Sequence, residues 1–355
     1  MQALREYQHN QGGHLRDEIA DFPGVIHDFG NAEVAVAAVE SGVAVCDRTH
    51  WGRLRLSGQD RLTFLHNQSS NDLKSRQPGQ GCDTVILTST ARTVDLVSAY
   101  ITEDAVLLLV SPQRRTHLMQ WLDRYIFFGD KVTLDDLSET TTTFSVLGSE
   151  SSHWLAQHFS GELPPTPGDH TLGQIGSSEV RVAAGSGLTT PGYTLFASVD
   201  QAVSLWSTLS DGGAVPLGEQ VWEQLRIQQG RPKPDAELTE DYNPLEAGLW
   251  HTVSFHKGCY IGQETIARLQ TYQGVKQHLW GIQLQGAASA GTVITLDGQK
   301  VGTLTSAVET PQGWIGLGYV KTKAGGAGTV VAIAETSGRL TEVPFLTRQP
   351  LDTSL

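Results

Sequence analysis

Lys257-Gly258-Cys259-Tyr260-Ile261-Gly262-Gln263-Glu264 sets a thiol between two glycines, with a cation ahead of it and a carboxylate behind it. A buried strand fills such positions with Val, Ile or Leu, so the octet reads as a loop built around Cys259. Glycine serves where φ must be positive or where a ligand comes close to the backbone, and a Lys near a thiol favours its reactive form. A tight turn whose cysteine packs inward would use the same residue types.

Outward from the octet, the two flanks read differently. On the N-terminal side, Leu217, Val221, Trp222 and Leu225 share one helical face, with Gly230 and Pro232 as stop signals. Before them, Ala202 to Leu209 predicts another helix, and Glu179–Val182 and Tyr193–Phe196 read as strands. The first part of the chain alternates in the same way. A helix ends at Gly42, Leu54 and Leu56 alternate with Arg53 and Arg55 in a strand, and VDLVSAYI and DAVLLLVS read as a strand pair. On the C-terminal side, from about Val275, the chain becomes all β. There Val293–Leu296 and Lys300–Leu304 flank Asp297-Gly298, a pair suited to a type I′ turn, and the close spacing of strands favours a small barrel. The fold class is therefore α+β, with segments 1–160 and 161–274 of mixed structure and a β segment at 275–355.

Bulk properties narrow the partners. The 355 residues exceed one ordinary core, and 18% charged with 39% hydrophobic residues is a globular composition. A net charge of −13 argues against a broad nucleic-acid or anionic-membrane surface, which needs clustered Lys and Arg. The three cysteines, Cys46, Cys82 and Cys259, form no CxxC pair and suit a reducing compartment. His251 and His256 with Cys259 match no standard zinc spacing, so no metal is expected. Without an apolar leader or an apolar run of about 18 residues, the expected location is the cytoplasm, away from membranes.

The octet KGCYIGQE resembles the signature of the YgfZ/Iba57 family, folate-binding proteins related to the T-protein (aminomethyltransferase) of the glycine cleavage system. VGTLTSAVETPQGWIGLGYVK is similar to that family's barrel, and SGQDRLTFLHNQSSNDL to its first subdomain. The resemblance implies two α+β subdomains forming a folate-binding body around a central cavity, followed by a C-terminal β-barrel. It also implies tetrahydrofolate, or a derivative, as cofactor, and iron–sulfur assembly proteins or client iron–sulfur enzymes as partners.

Site residues follow from the same resemblance. RTVDLVSAY is similar to a T-protein segment with two adjacent Asp near the reactive folate nitrogen. Asp95 keeps the first and Leu96 replaces the second. LRIQQG places Gln228 where family members often carry a Glu against the pterin. An amide there still donates and accepts, without the charge. Asn243 and Glu246 of NPLEAGL, with Lys257 and Tyr260, complete the expected folate set, and Lys257 is available to an anionic group. Cys259, Lys257 and Asp95 carry the expected chemistry, while Arg226 is expected to serve packing or a salt bridge. Two functions stay open: an accessory factor in iron–sulfur cluster assembly or repair, and a one-carbon transferase of the T-protein type.

Overall fold

The computed structural model describes residues 1–15 and 24–350. They divide into two compact units, each discontinuous in sequence. The first comprises Met1–Phe64, Leu73–Asp83 and Val97–Glu223, and the second Leu65–Asp72, Thr84–Leu96 and Gln224–Leu355. Residue 160 therefore lies inside the first unit and residue 274 inside the second.

The first unit holds a six-stranded sheet in the order His170–Ile175, Ser178–Ala184, Gly192–Ser198, Thr141–Leu147, Ala44–Asp47, Val215–Leu217. All neighbours are antiparallel except the last pair. One face packs Phe144, Val146, Val182 and Leu195 against Trp206 and Leu209 of the helix Ala202–Asp211. A second, five-stranded sheet runs Gly81–Leu87, Thr93–Ile101, Ala105–Val110, Gly52–Ser57, Thr133–Asp136. In Gly52–Ser57 the alternation holds only in part. Leu54 and Leu56 are buried as expected, but Arg53 is 3% exposed. Its guanidinium donates to the carbonyls of Thr49, Trp51, Ser138 and Thr141, and burial pulls its pKa down to about 10.

In the second unit, six strands close a barrel in the order Gln277–Leu284, Gly313–Lys321, Gln299–Thr310, Val293–Leu296, Val330–Ile333, Thr336–Thr341. Asp297 (φ 49) and Gly298 (φ 75) both take positive φ, as the tight hairpin requires. The interior is filled by Ile282, Ile294, Leu304, Val320, Ile333 and Leu340. Among the described residues no helix is long and apolar enough to cross a membrane.

Candidate functional site

One hydrophobic core of the second unit gathers the segments that carry the expected site. Its buried members include Leu96, Ile227, Ala247 and Tyr260, with Tyr242 packed against them. These are the immediate chain neighbours of Asp95, Gln228, Glu246, Cys259 and Asn243. Burying the apolar residues thus fixes where the polar ones emerge. Main-chain bonds add precision: Thr93 N–H donates to the Tyr242 carbonyl at 3.0 Å, and Leu279 N–H to the Glu246 carbonyl at 2.9 Å.

Asp95, in the strand Thr93–Ile101, is fully buried, and strand alternation puts it on the opposite face from Val94 and Leu96. Gln228 is half-buried near the end of the helix Glu219–Gln229. One turn earlier stands Gln224, 8% exposed, whose Nε2 meets no hydrogen-bond acceptor among the described residues. Sequence reasoning missed Gln224. Its signal was the four-residue spacing from Gln228, which puts both amides on one helix face.

Asn243 and Glu246 form a reciprocal cap. Asn243 Oδ1 accepts from the N–H groups of Leu245 and Glu246, both at 3.0 Å, and Glu246 Oε2 accepts from the Asn243 N–H at 3.1 Å. Both residues also line a cavity of about 190 Å³ with Thr90, Arg92, Thr265 and Lys276. Burial raises the Glu246 carboxyl above its ordinary pKa, opposed by the Asn243 N–H bond, and Arg92 Nη1 lies 3.8 Å away.

The octet itself is a loop only as far as Gly262; Gln263 and Glu264 open the helix Gln263–Thr271. Gly262 has φ +80, and a Cβ there would come within 2.9 Å of Ala91 and the Thr88 carbonyl, so this glycine is obligatory. Lys257 is 8% exposed and its ammonium donates to the carbonyls of His66, Ser69 and Asn71 at 2.5, 2.7 and 2.7 Å. Expected to be available to an anion, it is already engaged by main-chain oxygens. The reason lies in the helix that ends at Gln68: its last carbonyls need donors, and a cation suits that end of the dipole. Ser69 Oγ serves the Leu65 carbonyl, Lys257 that of His66, and the Ile261 N–H that of Asn67. Tyr260 turns into the core, its ring 4.6 Å from the Lys257 ammonium, and burial pushes its phenol up to about 12. Cys259 is left exposed, whereas Cys46 and Cys82 are buried.

Arg226 pairs with Glu237 at 3.0 Å, both within the buried interior. Ser306 accepts from Arg226 at 2.7 Å and donates to Glu237 at 2.6 Å, and the Tyr319 hydroxyl donates to the Glu237 carbonyl. This arginine joins the helix Glu219–Gln229 to the barrel.

With this geometry in view, comparison with known proteins is informative. The model of the GCVT N-terminal domain matches residues 20–257, and the chain belongs to that family. A chloroplastic protein of Arabidopsis thaliana, named as a transferase without a stated substrate, is 45% identical over 330 residues, covering 92% of this chain and 76% of the relative. An aminomethyltransferase of Rubrobacter xylanophilus is 27% identical over 328 residues, 89% of this chain and 86% of its own. The crystal structure of the glycine cleavage system aminomethyltransferase T from Bartonella henselae superposes with a TM-score of 0.83 at 17% identity, over 98% of both chains. The T-protein-like α+β fold with its C-terminal barrel is thereby established.

Proposed function

We propose that the chain is a tetrahydrofolate-binding accessory factor for iron–sulfur cluster assembly or repair, of the YgfZ/Iba57 kind, acting through Cys259 in the cytoplasm. The observation that carries this reading is the exposure of Cys259 at the centre of a loop fastened on both sides, while Cys46 and Cys82 are buried. A thiol kept accessible on a rigid support is available for exchange with a partner. A single cysteine cannot hold a four-ligand cluster, so a cluster contact would be shared with a client or an assembly protein.

The residues fit a reduced folate. Its pterin edge offers acceptors to the Gln224 Nε2 and both kinds of partner to Gln228, and Asp95 supplies a carboxylate. Tyr260 from within the same core, and Asn243 and Glu246 from beside its members Tyr242 and Ala247, would then shape the site, and Lys257 would act by holding the loop. The second reading, an aminomethyl or other one-carbon transferase, is favoured by the complete burial of Asp95 and by the names of the bacterial relatives.

Titration calorimetry of tetrahydrofolate into the wild type, Cys259→Ser and Asp95→Asn tests the folate reading. Saturable binding by wild type and Cys259→Ser is expected, and no binding by folded wild type overturns it. The two functions separate in cells lacking the protein. Cys259→Ser should fail to restore a cluster-dependent enzyme under the accessory reading, and normal restoration would refute it. Under the transferase reading Asp95→Asn is the damaging change.

A further inference from the structure

The cavity beside Asn243 and Glu246 holds more positive charge than its one carboxylate balances. Its volume of about 190 Å³ is over ten times the roughly 10–15 Å³ that a single water needs, so it admits a molecule of several heavy atoms. All of its walls belong to the second unit. Thr90 and Arg92 precede the strand Thr93–Ile101, Thr265 comes from the helix Gln263–Thr271, and Lys276 precedes the strand Gln277–Leu284. The protein leaves the donors of these walls largely unused. Arg92 commits Nη1 to the Asp241 carbonyl at 2.8 Å, and that atom stands 3.8 Å from Glu246 Oε2, beyond hydrogen-bond reach. Its other guanidinium nitrogens meet no acceptor among the described residues. Lys276 is exposed, and its ammonium makes neither hydrogen bond nor ion pair among the described residues, nor does the Thr265 hydroxyl.

We infer that this cavity binds one small oxyanion, a carboxylate or a phosphate group, held between Arg92 and Lys276 and hydrogen-bonded by Thr265. The guanidinium offers a planar fork of donors matched to two oxygens, and the ammonium adds a point charge. A zwitterion such as an amino acid fits less well. Its ammonium would have to turn to Glu246, whose Oε2 already accepts from the Asn243 N–H and whose burial disfavours its charge. The inference goes beyond the folate and cluster reading and requires neither. A folate's glutamate tail is one source of such a carboxylate, and a free anion is the other.

Glu246 sets the response to pH. Burial raises its carboxyl above the ordinary value, and the groups that act against this are the Asn243 N–H, Gln277, Arg92 and Lys276. The helix wall presents Thr265 and Leu269, which do not titrate. The phenols of Tyr242 and Tyr319, on which Glu246 acts in turn, are both raised above 10.0 and stay neutral. An oxyanion therefore meets an uncharged Glu246 at low pH and a repelling carboxylate once pH has risen through the raised value.

The full chain, folate-free, is titrated calorimetrically with inorganic phosphate and, separately, with formate, at constant ionic strength. Saturable binding of both at pH 5.5 is expected, with affinity about tenfold weaker in Arg92→Ala and in Lys276→Ala. Circular dichroism checks that each variant is folded. Formate keeps its own charge between pH 5.5 and 8, so its several-fold weaker binding to wild type at the higher pH reports Glu246, and Glu246→Gln should abolish that dependence. No saturable binding of either anion, equal binding by wild type and a folded double variant lacking both cations, or the same pH profile in Glu246→Gln would each overturn the site. Competition then assigns the source. Phosphate displaced by tetrahydrofolate but not by tetrahydropteroate, which lacks the glutamate, supports the site as one for the folate tail, and displacement by neither supports it as one for a free anion. Displacement by both would put the pterin body in the cavity and overturn the inference. Failure of tetrahydrofolate to bind at all leaves the phosphate result standing, so the two readings fail separately.

Discussion

Arg226 and Lys257 are both buried cations of the second unit, and they are answered in opposite ways. Arg226 meets a carboxylate, Glu237, inside a ring of hydroxyls, while Lys257 meets the carbonyl ends of a helix and the turn that follows it. The first arrangement depends on the identity of one distant side chain. The second depends only on where a helix stops, so no substitution on that helix strips the ammonium of its acceptors unless the backbone itself moves. The arginine therefore ties two elements together, and the lysine positions a loop.

That contrast predicts a ranking. Glu237→Leu leaves the Arg226 guanidinium buried without its carboxylate and should destabilise by about 3–5 kcal/mol, the usual cost of breaking one side of a buried pair. Denaturant unfolding measures it, and a loss under 1 kcal/mol would mean that Ser306 and the Arg231 carbonyl, which accepts from Arg226 at 3.3 Å, suffice. Lys257→Met keeps the stem but leaves three carbonyls unanswered, and a loss of about 1–3 kcal/mol is expected. Its distinctive mark is local: amide exchange at residues 257–261 should accelerate more than in the barrel. Uniform acceleration would show that the lysine is a global support like Arg226.

Glu246 gives the smallest effect. Its carboxyl is buried and its pKa lies above the ordinary 4.5, so the folded chain holds that proton more tightly than the unfolded chain. The resulting stabilisation is complete below about pH 4.5 and fades as pH rises through the raised value. Glu246→Gln, which keeps the neutral form at every pH, should therefore gain on the wild type as pH rises from 4.5 towards 7. Thermal midpoints across that range test this. A difference that does not change with pH would assign Glu246 a purely capping role.

Local chemistry was readable in the chain, and long-range chemistry was not. The Asp297-Gly298 turn, the strands beside it and the loop character of residues 257–262 follow from rules acting over a few residues. The strand Thr336–Thr341 escaped because it has a single large apolar residue. It exists through pairing with Val330–Ile333 on one side and Gln277–Leu284 on the other. The acceptors of Lys257 escaped for a similar reason. The nearest, the His66 carbonyl, lies 191 residues earlier in the chain, and nothing in the octet names it. Asp95 was recognisable by resemblance, but its complete burial was not, since an isolated acidic residue in a strand ordinarily faces water.

Because Leu65–Asp72 and Thr84–Leu96 belong to a unit otherwise built from Gln224 onward, the nascent chain makes these two segments long before the rest of their unit exists. At ordinary elongation speeds of about 5–20 residues per second, the delay is on the order of ten seconds. Val85, Leu87 and Leu96, fully packed in the finished protein, must wait at the ribosome exit with their apolar faces uncovered. The interleaved chain thus makes synthesis a period of chaperone dependence, and a stop codon placed before Gln224 would leave a sticky fragment instead of a smaller folded protein.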